Sequence, residues 1–181
     1  LKANSTLDLS WTIKDITLLD SEIIFEISTN AGISWTEVGR SSTKARKHSI
    51  QIPDIESDQV QVRASYVAKD GAKFPFYETS PLIVDVNPPV VTLNSMNTHG
   101  IYKGGTSKVI SWSAQDMSFT TTPTSLFYST DNGTSWQVIA TNQPPSGIYS
   151  WTLPTINSSD VRIKVSVQDV HGRSSEAVSS K

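Results

Sequence analysis

Two stretches of this chain return at one fixed distance. Leu9-Ser10-Trp11 recurs as Ile110-Ser111-Trp112, and Ser28-Thr29-Asn30-Ala31-Gly32-Ile33-Ser34-Trp35 recurs as Ser129-Thr130-Asp131-Asn132-Gly133-Thr134-Ser135-Trp136. Each pair of tryptophans stands 101 residues apart, and so do Ile52-Pro53 and Leu153-Pro154, and Val60 and Val161. That period is too long for a solenoid repeat or a propeller blade and is the size of one small domain. Two similar domains are therefore expected, at residues 1–86 and 87–181, meeting in Asp85-Val86-Asn87-Pro88-Pro89. Paired prolines remove backbone donors and stiffen the chain, so the linker is expected to be short and semi-rigid, favouring a rod. The second copy opens on the strand-like Val90-Val91-Thr92-Leu93, whose counterpart would precede residue 1. The first strand of residues 1–86 thus reads as truncated, and the chain as part of a longer polypeptide.

Inside each copy, apolar residues recur with period two, the mark of half-buried strands. Leu7, Leu9, Trp11 and Ile13 alternate with Asp8, Ser10, Thr12 and Lys14. Ile23, Phe25 and Ile27 form another inward row, and His48, Ile50 and Ile52 match Tyr149, Trp151 and Leu153. Val60, Val62 and Ala64 correspond to Val161, Ile163 and Val165. No helical periodicity of useful length competes. The expected fold is all-β: two tandem antiparallel β-sandwiches, each of six or seven short strands.

Composition removes several functions. The net charge is −2 and the pI about 5.9, so no global basic field awaits nucleic acid. The chain has no cysteine, hence neither a disulfide nor a thiol nucleophile. No apolar run reaches the ~18 residues of a membrane span, and no signal segment is visible, so membrane insertion is not expected.

The most specific local motif is the tryptophan hairpin. Asp131-Asn132-Gly133 between two apolar runs is a tight-turn signal, because Asn and Gly tolerate positive φ. Asp131 is expected to accept from turn amides, and the tryptophan to fold under the hairpin and anchor it to the core. Ser129, Asp131, Gly133 and Trp136 fill the pattern Ser-x-Asp-x-Gly-x-x-Trp, which resembles the Asp box of sialidases and other bacterial β-proteins. Ser28, Gly32 and Trp35 fit it as well, with Asn30 in place of the aspartate. The resemblance implies a structural turn that carries no chemistry. A sialidase would need several boxes and an arginine cluster, which this chain lacks.

As a whole the repeat resembles the immunoglobulin-like or fibronectin type III-like modules of large bacterial extracellular proteins. Gly104-Gly105 before Val109-Ile110-Ser111-Trp112, the hairpin Tyr128–Trp136, Trp151-Thr152-Leu153-Pro154 and Val161–Val165 through Asp169 to Gly172 carry the likeness. It departs from the animal pattern in lacking the tyrosine corner and the inter-sheet disulfide. The resemblance implies a secreted or cell-surface module without cofactors.

No catalytic constellation emerges. His48, His99 and His171 are scattered and outside any metal-ligand spacing, and Asp15, Asp116 and Asp169 sit at strand ends as turn formers. The junction Asp85-Val86-Asn87 resembles cadherin linkers, which raises calcium as the one candidate cofactor; six to eight oxygen ligands would be needed. Two segments break the repeat. Phe74-Pro75-Phe76-Tyr77 faces plain Arg173-Ser174-Ser175 in the other copy, and its rings either stack on sugars or pack within the protein. The basic cluster Lys44-Ala45-Arg46-Lys47-His48, in a polar loop leading into a strand, suits anionic glycans or lipid headgroups, or is simply a solvated loop. Asn4, Asn132 and Asn157 begin glycosylation sequons, which matter only in a glycosylating host. The reading is a non-catalytic stalk or spacer in an adhesin-like or secreted multidomain protein; the alternative is an accessory carbohydrate- or ligand-binding module of a secreted hydrolase. The expected partners are a host or prey surface protein or a glycan.

Overall fold

The computed structural model describes residues 1–12, 14, 21–68, 70–95 and 100–180. Ile13, Asp15 and His99 lie outside the described residues. The chain divides into two compact units, Leu1–Val86 and Asn87–Lys181. Among the described residues there is no α-helix; strands and turns account for both units.

The first unit contains β1 (Thr6–Ser10), β2 (Glu22–Ser28), β3 (Thr36–Ser42), β4 (Lys47–Gln51), β5 (Ser57–Val67), β6 (Lys73–Glu78) and β7 (Leu82–Val84). One sheet is β1-β4; the other runs β3-β2-β5-β6, with β7 pairing the start of β5. All these pairings are antiparallel, and a single parallel bridge joins Lys2 to Asp85. Register explains the core. Phe25 lies opposite Ala64 and Ile27 opposite Val62, so the odd positions of β2 and the even ones of β5 share one face. That face meets Ile50, Ile52 and Val84 in one cluster. Fully burying side chains of this size contributes roughly 1.5–3 kcal/mol each.

His48 belongs to this scaffold. Its ring stacks on Phe25 at 5.0 Å between centroids and 7° between planes. A Cβ on Gly39 of the neighbouring strand would come within 2.3 Å of the His48 Nε2, so only glycine admits the imidazole there. The residue 101 further on is Ala140, and Tyr149 takes the histidine's place.

The second unit contains β8 (Val90–Leu93), β9 (Ser107–Gln115), β10 (Phe119–Ser129), β11 (Gln137–Gln143), β12 (Gly147–Thr152), β13 (Arg162–Asp169) and β14 (Ser174–Val178). Its sheets are β12-β9-β8 and β11-β10-β13-β14. This is the strand arrangement of an immunoglobulin/fibronectin-type sandwich, three strands against four. Ile110, Trp112, Leu126, Trp151, Ile163 and Val165 fill the space between.

Both tryptophan hairpins close by one scheme. In each, the serine Oγ accepts from the glycine amide at 2.8 Å, Ser28 from Gly32 and Ser129 from Gly133. Both glycines have positive φ, 81° and 90°. Asp131 Oδ1 accepts from the Ser129 hydroxyl at 2.7 Å and the Ser135 amide at 2.8 Å; Asn30 Oδ1 does the same with Ser28 and Ser34 at 2.9 and 3.0 Å. Trp35 folds under its hairpin as expected, its indole donating to the Gly32 carbonyl at 3.0 Å, but neither tryptophan ring belongs to a core cluster. Trp35 lies under the Arg63 guanidinium at 4.1 Å, and Trp136 under the Lys164 ammonium at 4.7 Å. Arg63 and Lys164 point away from the cores, because their strands bury the alternate residues. The rings therefore pin the hairpins to the outer sheet faces.

Candidate functional site

The aromatic segment that breaks the repeat is strand β6, an edge strand. A turn at Asp70-Gly71 delivers it: the Gly71 amide donates to the Ala68 carbonyl at 2.9 Å, and the Ala72 amide to Asp70 Oδ1 at 3.0 Å. Pro75, opposite Ser65, costs no ladder bond on an edge. A register shift between Ala64 and Ser65 leaves Tyr77 opposite Ala64 and Phe74 opposite Tyr66. Phe74, Phe76 and Tyr77 are 45%, 52% and 57% exposed. Phe74 stacks on Tyr66 at 4.9 Å with 14° between the planes.

On the opposite face of the sheet lies a group that alternation alone did not reveal. Glu26 points away from the core yet is buried, and its carboxylate meets Arg63 at 2.8 Å and Lys73 at 2.9 Å. Burial pushes the Glu26 carboxyl up, but the hydrogen bonds from Lys73 and Arg63 outweigh it and hold the group below its ordinary range. Lys73 comes from β6, so this ion cluster also fastens the aromatic edge strand to the middle of the sheet. A period-two pattern reports which way a side chain points, not what long neighbours cover it.

The basic loop is ordered by a contact from β1's end. Thr43–Ala45 form a 3₁₀ turn, capped by Ser42, whose hydroxyl accepts from the Lys44 amide at 3.2 Å. Arg46 follows with φ 61° and Lys47 begins β4. Trp11 holds the turn twice, its amide donating to Arg46 at 3.1 Å and its indole to Thr43 at 3.0 Å. Lys44, Arg46 and Lys47 are exposed. The loop leaves β3 at one edge of the sheet, while β6 is the opposite edge, so the two candidate surfaces do not form one site.

The turn carboxylates have structural partners. Asp116 Oδ1 accepts from the Ser118 amide at 2.7 Å. Asp169 is buried and accepts from the His171 and Arg173 amides and from the Arg173 side chain at 2.6 Å. Burial pushes the Asp169 carboxyl up, and the Arg173 pairing and the two amides bring it below its ordinary value. Such a carboxylate is an acceptor already in use, unsuited to proton transfer near neutrality.

No protein-family model matches the chain, and no curated protein matches it. Among solved structures, it is similar to the fibronectin(III)-like modules of CbhA from Clostridium thermocellum, at 19% identity and a TM-score of 0.42, covering 98% of this chain and 85% of that one. It is also similar to the FN1-FN3 domains of chicken CNTN1, at 15% identity and a TM-score of 0.31, covering 99% of this chain and 64% of that one. The sandwich architecture stands on the strand order itself. Among the described residues, no helix is long and apolar enough to cross a membrane.

Proposed function

We propose that the chain is a non-catalytic module of an extracellular or cell-surface protein, serving as a stalk or spacer in an adhesin-like or secreted multidomain assembly. One observation carries this reading: the polar groups that look most like motifs are spent on holding turns. Ser28, Asn30, Ser129 and Asp131 bond within their own hairpins, and Asp116 and Asp169 within theirs. An Asp-box reading of the hairpins fits this role, since it assigns them to structure. Each sandwich resists pulling through its ladder hydrogen bonds. Single-molecule pulling on the chain is expected to give two unfolding events of similar length, one per unit; a single event, or smooth extension at low force, removes the spacer role.

A second reading is favoured by the exposed rings of β6. A sugar face laid on the exposed rings of Phe74, Phe76 or Tyr77 would make the first unit an accessory carbohydrate-binding module. A glycan array separates the two. Silence supports the spacer. A hit that disappears in Phe74→Ala/Phe76→Ala/Tyr77→Ala, with the melting temperature retained, replaces it with the binding module.

A further inference from the structure

The four-stranded sheet of the second unit carries an open trough of about 340 Å³ on the face turned away from the core. Its floor is the outward row of two neighbouring strands. Ser125 lies directly opposite Ser166, and Phe127 opposite Lys164, while Leu126, Val165 and Val167 point into the core. Its walls come from two surpluses of chain. Between Phe119 and Thr124, four residues of β10 face the single Gln168 of β13. Between Thr124 and Leu126, Ser125 faces both Thr141 and Asn142 of β11. Surplus residues leave the ladder and bend their strand. Both surpluses line the trough, with Thr120, Thr122 and Pro123 from the first and Asn142 from the second. Asn142 takes φ 56°, a left-handed conformation that asparagine tolerates.

The polar side chains of the turns are spent within the turns; those of the trough are not. Among the described residues, the side chains of Thr120, Thr122, Ser125, Asn142, Ser166 and Ser174 make no hydrogen bond to the protein. The charges at the rim are compensated, Asp169 by Arg173 at 2.6 Å and Glu176 by Lys164 at 3.0 Å. What faces the trough is a neutral set of hydroxyls and carboxamides, each able both to donate and to accept, beside the rings of Phe127 and Pro123. The first unit has no equal place. Ile24 and Ser65, 101 residues before Ser125 and Ser166, are buried, and Glu26 with its two cations stands where Phe127 does.

We propose that this trough binds a neutral oligosaccharide. A sugar carries hydroxyls that donate and accept around its whole edge, which matches a lining of the same kind. A charged ligand would find no free counter-charge there to offset its lost hydration. The C–H face of the sugar meets the rings of Phe127 and Pro123. Ligand sites run from roughly 300 to 1,000 Å³, so a trough at the small end of that range holds about one or two sugar rings of a longer chain. The site lies in the other unit from the rings of β6, stands whether or not those rings bind sugar, and is compatible with a spacer.

The test is a titration of the isotope-labelled full chain with cellotetraose, xylotetraose, mannotetraose and galactotetraose, followed through its amide chemical shifts. At least one of these sugars is expected to move the amides of residues 125–127, 142 and 166–168 in a saturable way. Asn142→Ala/Gln168→Ala, at two exposed positions, is expected to weaken that binding about tenfold or more with the melting temperature retained. Ser166→Leu, which fills the floor, is expected to weaken it as much, whereas Phe74→Ala/Phe76→Ala/Tyr77→Ala leaves it as it was. No saturable shift at the trough with any of the four sugars overturns the proposal, as does binding undiminished in both trough variants. Shifts confined to residues 74–77 overturn it too and give the sugar to β6. Sialyllactose bound as tightly as the neutral sugars overturns the neutral class.

Discussion

The same scaffold positions are sealed by different strands in the two units. In the second, β8 lies along β9, with Leu93 opposite Trp112 and Val91 opposite Ala114. In the first, no described strand flanks β1 on that side. Ile110 and Trp112 are 0% and 2% exposed, while Leu9 and Trp11, 101 residues earlier, are only half-buried. At the other end the order reverses: Val60 under β7 is sealed and Val161 is not. Burial at a repeated position is therefore set by the strand next to it. Two copies of one residue pattern can differ in energetic weight.

That difference has a direct consequence for substitution. Ile110→Ala removes a fully buried side chain from a closed core, and is expected to cost about 4 kcal/mol. Leu9→Ala, at an open margin where neighbours and water can adjust, is expected to cost about 2 kcal/mol. Urea unfolding of the full chain, followed by hydrogen exchange assigned to each unit, reads the two losses separately. Equal losses would show that the margin beside β1 is as rigid as a closed core and would break the comparison.

The outer sheet faces make a second contrast. Glu26 with Arg63 and Lys73 in the first unit corresponds to Phe127 with Lys164 in the second, where the ammonium lies 5.1 Å from the ring. Arg63→Ala leaves a buried carboxylate with Lys73 alone and also uncovers Trp35; the expected cost is about 3 kcal/mol. Lys164→Ala leaves only neutral rings and one exposed carboxylate behind, and should cost about 1 kcal/mol. The first unit should also lose stability as the pH falls through the Glu26 titration. The folded pKa lies below the unfolded one, so the contribution is present above the ordinary carboxylate range and disappears below it. Thermal melts from pH 7 downward check the sign. If Lys164→Ala proves the costlier change, packing on the rings outweighs the buried ion cluster.

Much of this was legible in the residues, and the remainder has physical reasons. The alternation of Val60-Gln61-Val62-Arg63-Ala64 and of its partner placed the long central strands and their inward faces, because a one-residue slip would expose a whole row. The hairpin turns followed from Asn and Gly. By contrast, Leu82–Val84 is too short to show a period, so β7 was invisible. Trp35 and Trp136 were expected to anchor the hairpins to the core; a cation at the repeated outward position of β5 and β13 holds them on the outer sheet face instead. The Glu26 cluster was not legible, since one of its partners, Lys73, lies 47 residues away.

The smallest expected effect compares the two hairpins at the one position where they differ in charge. Asp131 is held at a pKa of about 2, below its ordinary 3.8, first by the Ser135 hydroxyl, then by the Ser135 amide and the Ser129 hydroxyl. Its folded pKa is depressed, so the stability it contributes is full above about pH 4 and drains away as the pH falls towards 2. Asn30 makes the same contacts without titrating: its Oδ1 accepts as the aspartate does, and its Nδ2 donates to Ser34 Oγ at 2.9 Å, reversing the bond that Asp131 accepts from Ser135. A serine hydroxyl can turn to serve either partner. Asp131→Asn should therefore be close to neutral at pH 7, and should abolish the acid-induced rise in exchange at Gly133 and Ser135. The corresponding amides of Gly32 and Ser34 should show no such rise in either protein. A variant that still loosens between pH 4 and 2 would place the acid sensitivity elsewhere in the second unit, with Asp169 and its Arg173 pair the next group to test.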